Sequence, residues 1–485
     1  MWSETKQSGP PTYPAPTSIP TFPALETVEN SEGWLMRNHR NKPQSNSAGA
    51  AALVFISGGM FLADQGSPEY FTGKHISLSW FIGAIIGAVI GSVLCNKMYK
   101  KLITCFASLL VTISGILLIA DSNSYSAMLA ARYLNGIALG LVFPLTVVMI
   151  SEESVKYMRG MNAAAMVSFC FSLGVFIQIL YMYNWQDMFD ASQMMGTIET
   201  IWGISGFVLA FFLQLESPVF YLQRGQEEMA IDALRRLQRP FTITQETYEQ
   251  LEEHKRYVAE STEVTLLQSA LIGLPALIKL CFYRVFTTAS YSFYSFFAFS
   301  YASSVVYEPD TFWPSLVYGL CAWLGPMVVM FTLDLKGRKP PMIVGFFFTC
   351  CIASTLGGLL NDSQNIRDKD VMTAVMYLLM AYQFFAGLST ASSAVYLTEA
   401  FPLAVKSFYV SIAFIVEMAV HIVIIAVRSE PWRSNVYDLS DYFYIVGALS
   451  LVFFALAIVA MPETKNDTLR ECLKKFRKIL NYKTY

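Results

Sequence analysis

The chain has 485 residues, 54 % of them hydrophobic and only 14 % charged, with a formal net charge of −2. A soluble protein carries about 25 % charged residues. Here the charges fall in short clusters between apolar blocks of roughly 20 residues, which excludes an ordinary soluble enzyme and indicates an all-α membrane protein with many spans.

Residues 1–47 are polar and rich in Pro, Ser and Thr, and they read as a disordered cytosolic N-terminal tail. No cleavable signal is expected, so the first membrane helix directs insertion. Twelve transmembrane helices are predicted near 49–70, 76–96, 102–121, 127–150, 162–183, 196–214, 276–305, 312–333, 342–360, 372–398, 407–428 and 441–461. They divide into an N-terminal six-helix bundle (48–214) and a C-terminal one (276–461), which are expected to be pseudo-symmetric halves.

Gly83, Gly87 and Gly91 in the second helix, and Gly136 and Gly140 in the fourth, have the spacing that lets helix backbones approach closely. Between the halves, residues 215–275 hold EEMAIDALRRLQ and TQETYEQLEEHKRYVAE, whose mixed charge predicts amphipathic helices in a cytosolic linker. A basic tail, 462–485, follows the last span. Lys97, Lys100, Lys101, Lys156, Arg159, Lys336, Arg338, Lys339 and Lys406 fall in loops on one side, against fewer basic residues on the other. The positive-inside rule therefore places both termini in the cytosol. Asn361-Asp-Ser363 is then an outer glycosylation sequon close to the bilayer. Seven of the eight cysteines lie in or beside apolar runs, so no disulfide framework is expected.

Two signatures repeat at helix ends. Glu152 is followed seven residues later by Arg159, and Glu399 seven residues later by Lys406. Two helical turns separate each acid from its base, as suits clamps at the inner ends of a moving bundle. Charges inside a membrane cost roughly 2.5–3.5 kcal/mol each and mark function by default. Asp64 and Arg132 fall near the outer ends of helices one and four and are expected to pair. Glu417 and His421, one turn apart in helix eleven, are expected to share a proton, to offer a counter-charge to a cationic substrate, or simply to fix packing. Lys279 and Arg284 are expected to snorkel to the cytosolic surface.

Six motifs stand in one order along the chain. Arg132 precedes Gly136 and Gly140; Glu152 leads to Arg159-Gly160; Glu216-Ser217-Pro218 leads to Leu222. Asp334-Leu-Lys-Gly337-Arg338-Lys339 follows helix eight, Glu399 precedes Pro402, and Pro462-Glu463-Thr464-Lys465 follows helix twelve. Over about residues 50–470 the chain resembles the sugar porters of the major facilitator superfamily. That resemblance implies an inner gate of Glu152, Arg159, Glu216, Asp334, Arg338, Glu399, Lys406 and Glu463. It also implies a proton site at Asp64 and Arg132, with Glu417 and His421 as further coupling candidates.

The departures are as specific. Asn96, Tyr99, Lys100 and Lys101 stand where a D-x2-GRR loop belongs, and Lys406-Ser407 replaces a second Arg-Gly. No Gln or Asn lies between Lys279 and Tyr307, where sugar porters place carboxamides, and Thr390, Ala391, Ser393 and Ala394 replace a GPxPW run. Ser290, Tyr294, Tyr301, Thr390, Ser393 and Glu417 are left as the substrate-cavity candidates. The resemblance implies an alternating-access carrier of a small polar solute, with sugar leading, that takes no cofactor and functions as a monomer in the plasma membrane. Its partners are the solute, protons if it is coupled, and membrane lipid, not nucleic acid. An organic-cation transporter and a non-transporting nutrient sensor of the same fold are the alternatives. No phosphate-binding loop and no metal-ligand or nucleophile cluster suggests an enzyme.

Overall fold

A computed structural model describes residues 34–64, 74–184, 191–288, 292–308, 311–427 and 437–481. In a bilayer no water satisfies backbone N–H and C=O groups, so each apolar block closes its own hydrogen bonds as a helix. Among the described residues twelve helices are long and apolar enough to span. In order they are Lys42–Ala63, Lys74–Lys97, Lys100–Ala120, Tyr125–Glu153, Arg159–Leu180, Ser192–Leu213, Leu266–Thr288, Trp313–Lys336, Lys339–Leu360, Lys369–Glu399, Leu403–Val427 and Leu439–Ala460. They are numbered one to twelve below.

The predicted glycine seams hold the N-terminal half together. A Cβ at Gly87 of helix two would stand 2.2 Å from the Ile137 carbonyl oxygen of helix four, and one at Gly140 would stand 2.1 Å from that of Ala84. Helices one and five meet the same way at Gly59 and Gly174. Helix five carries a π-helical segment, Ala164–Phe169, a distortion often found at functional sites.

Two expectations are corrected. The chain is helical from Trp34, with helices Trp34–Arg40 and Lys42–Ala48 where a disordered tail to residue 47 was expected. Asn41, Gln44 and Ser47 are buried there. The Asn41 amide donates to the Tyr157 hydroxyl at 2.9 Å, the Val155 N–H donates to Gln44 Oε1 at 3.0 Å, and the Leu215 N–H donates to Ser47 Oγ at 2.9 Å. Hydrogen bonds order this segment, so apolar periodicity could not reveal it. Residues 1–33 lie outside the described residues.

Helix seven also begins ten residues earlier than expected, at Leu266. A reciprocal cap between Thr265 and Gln268 starts it, and a second helix, Phe293–Val306, continues the path.

Linker helices Glu227–Arg236 and Gln245–Thr262 form as predicted, the second opened by a Thr244–Thr247 capping box. Val219, Leu222, Leu251 and Val258 pack with Leu403 and with Leu469 of a C-terminal helix, Leu469–Arg477, and Glu216 at the start of the linker accepts from Lys100 Nζ of the N-terminal half at 2.9 Å, so the linker touches both halves. Burial, with the cations of Arg159 and Lys406, lowers the pKa of His254 in this linker from 6.5 to about 4. The docked linker therefore holds a neutral imidazole, whereas the undocked one binds a proton. Docking weakens as pH falls from about 6.5 towards 4 and regains strength above that window. Amide protection of residues 245–262, the exchange rate relative to the intrinsic rate at the same pH, should be lower at about pH 5 than at about pH 7, with His254→Gln removing the difference. Equal protection at the two pH values in the native protein would contradict this.

Candidate functional site

Helices from both halves line a narrow central cavity of about 30 Å³. Phe55, Phe143 and Phe171 face it from the N-terminal half, and Arg284, Phe414 and Glu417 from the other. The Phe143 and Phe414 rings stack across the seam with centroids 4.2 Å apart. Ser168, in the π-helical segment of helix five, adds a hydroxyl to the wall.

The strongest polar feature of the cavity is one for which the sequence suggested a bland role. Arg284 does not snorkel: it is buried, its Nη2 donates to Glu417 Oε2, and its Nη1 donates to Ser393 Oγ at 2.9 Å. The guanidinium also lies over the Phe143 ring at 5.5 Å. The earlier start of helix seven explains the correction, because it carries Arg284 from the start of the helix towards the middle of the path. Lys279 instead donates to the carbonyls of Ala460 and Lys478 at 3.0 and 2.6 Å.

Glu417 is thus engaged by Arg284. His421 stacks on Phe81 of helix two at 5.0 Å, and no hydrogen bond joins the two helix-eleven residues that were expected to share a proton. Of the hydroxyl candidates, Thr390 lines the cavity and Ser393 holds Arg284. Tyr294 instead stacks on Tyr442 of helix twelve, and Tyr301 lies beside Phe297, so neither lines the cavity. Ser290 lies outside the described residues.

Towards the end of the bundle away from the linker, Arg132 Nη2 donates to Asp64 Oδ2 at 2.5 Å and to the Asp64 carbonyl at 3.1 Å. Nearby stands a carboxylate that sequence reasoning missed. Glu199 of helix six is fully buried and accepts from Ser57 Oγ at 2.8 Å, Asn135 Nδ2 at 2.9 Å and Ser114 Oγ at 3.0 Å. Among the described residues no cation pairs with it. The signal was present, since an acid three residues inside a predicted span is costly unless it has a purpose.

At the end of the bundle that carries the linker, the residues expected to form a gate make the following contacts. Lys100 Nζ of the N-terminal half lies 2.9 Å from Glu216, at the start of the linker, and 3.7 Å from Glu152. Within the C-terminal half, Arg338 contacts Asp334 at 3.0 Å and Glu399 at 3.3 Å, and Glu463 accepts from the Arg338 and Lys339 N–H groups. The halves are joined by Arg159 and Glu399 at 3.6 Å, and by the Gly160 and Met161 N–H groups donating to Asp334. Lys406 donates to Ser151 at 3.0 Å, and Asn96 donates to Ser407 at 3.0 Å. This gate is closed.

A family model described as "Sugar (and other) transporter" matches residues 33–476. The chain belongs to that family. The transporter is 22 % identical to the Arabinose-proton symporter of Escherichia coli K12, over 88 % of each chain. It is 28 % identical to the Monosaccharide-sensing protein 3 of Arabidopsis thaliana, but over only 40 % of this chain and 26 % of that one. Its fold is similar to that of the major facilitator superfamily proton:xylose symporter XylE bound to 6-bromo-6-deoxy-D-glucose. The TM-score is 0.73 at 17 % identity, covering 89 % of this chain and 100 % of that one.

Proposed function

We propose that the transporter is a secondary carrier that moves a sugar-sized polar solute across the plasma membrane by alternating access. Its termini and linker lie in the cytosol, and one chain suffices. The observation that supports this best is the seam between the halves. A small set of polar contacts, centred on Arg159, Glu399 and Asp334, ties two whole bundles together below a cavity that both of them line. Such contacts can part as a unit without unfolding either bundle.

Coupling to protons is assigned to Asp64 and Arg132. Protonating Asp64 removes the charge that holds Arg132, and a pairing that differs between two conformations shifts their populations. The relatives named as arabinose–proton and xylose–proton symporters support sugar and protons as the solutes.

The test is uptake of labelled arabinose, xylose and glucose into liposomes, with and without an inward proton gradient. Asp64→Asn should lower gradient-driven accumulation by about tenfold or more while leaving exchange across a sugar gradient. Accumulation unchanged in the variant would remove the coupling assignment. Absence of flux of these sugars and of glucuronate alike by the native protein would remove the carrier reading.

A further inference from the structure

The polar inventory of the central cavity is poor for a neutral sugar. A polyol needs many matched donors and acceptors, since each unpaired hydroxyl in a dry site costs binding. Among the described residues no carboxamide lines the cavity. The Thr390 hydroxyl already donates to the Ala386 carbonyl, and that of Ser393 to the Thr390 carbonyl. What remains is the Ser168 hydroxyl and one buried ion pair among four phenyl rings. Arg284 Nε is buried and has no hydrogen-bond partner, so the guanidinium fork is only partly used.

The two members of the pair differ in what they can give up. A carboxyl becomes neutral by taking one proton, whereas a guanidinium stays charged at any pH a cell offers. A cationic solute competing for Glu417 would strand Arg284 as an uncompensated buried charge, which is strongly unfavourable. An anionic solute competing for Arg284 strands nothing once Glu417 is protonated. The groups that face Glu417 are consistent with this. Arg284 comes from helix seven and Phe143 from helix four, and His421 lies one turn along helix eleven, stacked on Phe81 of helix two.

Resting on the carrier reading above, we propose that the solute is a sugar acid: a monosaccharide-sized body with one carboxylate that takes the place of Glu417 on Arg284. The carboxylate accepts two parallel N–H bonds from the guanidinium, and the phenyl rings cover the apolar face of the solute. Glu417 takes one proton from the side of entry as it lets go, and it returns that proton when it re-pairs after release. Through this exchange each cycle carries one carboxylate and one proton, and the charge inside the cavity stays the same. This proton is separate from the one assigned to Asp64.

The experiment is counterflow of labelled glucuronate, glucose and glucosamine in liposomes loaded with the same unlabelled solute. The native transporter should move glucuronate at least about tenfold faster than either of the others. Arg284→Gln should erase that preference, and so should the paired Arg284→Gln and Glu417→Gln change, which keeps shape without charge. Gel filtration of the paired variant, expected to give the native elution profile, checks that it is folded. Glucose moving as fast as or faster than glucuronate overturns the inference and leaves the carrier reading intact. So does preference for glucosamine, or a preference that survives in the paired variant. Failure of all three solutes to move overturns both.

Discussion

Replacing Gly174 with valine should abolish the folded transporter. A Cβ at this position would lie 1.9 Å from the Ile56 carbonyl oxygen, and a Cβ at Gly59 opposite would lie 2.0 Å from that of Phe171. Both obstacles are backbone, so no rotamer change relieves them. Helix one must separate from helix five, which carries the cavity-lining Phe55 away from Ser168 and Phe171. Overpacking of an ordinary core costs about 1–3 kcal/mol because side chains yield. Here nothing yields, and the cost is expected to exceed the roughly 5 kcal/mol that marks the extreme of single substitutions. The check is gel filtration of fluorescently tagged protein in mild detergent. The native peak should vanish for Gly174→Val, while Gly49→Ala, whose nearest neighbour is the flexible Met166 side chain at 3.6 Å, should keep it. A native peak at normal yield for Gly174→Val would contradict the close packing described here.

Glu399→Gln should open the inner gate. Its carboxylate is fully buried and meets Arg338 at 3.3 Å, Arg159 across the seam at 3.6 Å and the Thr464 hydroxyl at 2.5 Å. Removing one partner of a buried ion pair costs about 3–5 kcal/mol, because the charge left behind is uncompensated. Arg338 keeps Asp334 as a partner in the variant, but Arg159 loses its ion pair to the other half. Opening the gate lets water reach Arg159, so much of the cost is relieved in the open form. A bias of about 3 kcal/mol is roughly a hundredfold change in population. The measurement is alkylation from the cytosolic side of a cysteine at Thr390, with the native thiols replaced. Its rate should rise by up to about a hundredfold in Glu399→Gln, and an unchanged rate would show that Glu399 does not hold the gate.

Much of this architecture can be read in the sequence, for a physical reason. The bilayer makes apolar length a direct signal of spanning helices, and the glycine spacing at 83, 87 and 91 marks a seam because nothing larger fits. Charges at helix ends are equally legible, because few partners lie within reach: Arg159 meets Glu399, Arg338 meets Asp334 and Glu399, and Glu152 meets Lys100. The ordered segment at 34–48 is hidden because hydrogen bonds to neighbours distant in sequence hold it. Arg284 is hidden by a boundary error. A start for helix seven misplaced by ten residues turns a cavity arginine into a surface one. Glu199 is hidden because its partners are neutral hydroxyl and amide groups with no charge pattern to announce them.

The central claim is that two bundles rock about the cavity, closing one end as the other opens. Pulsed electron–electron distance measurement between spin labels tests it most directly. One pair goes at the exposed inner positions Lys156 and Lys336, and a second at the exposed outer positions Asn123 and Asp362. The account predicts reciprocal change: in Glu399→Gln the inner distance lengthens while the outer one shortens. Distances that stay fixed in both pairs, or that lengthen together, would contradict it.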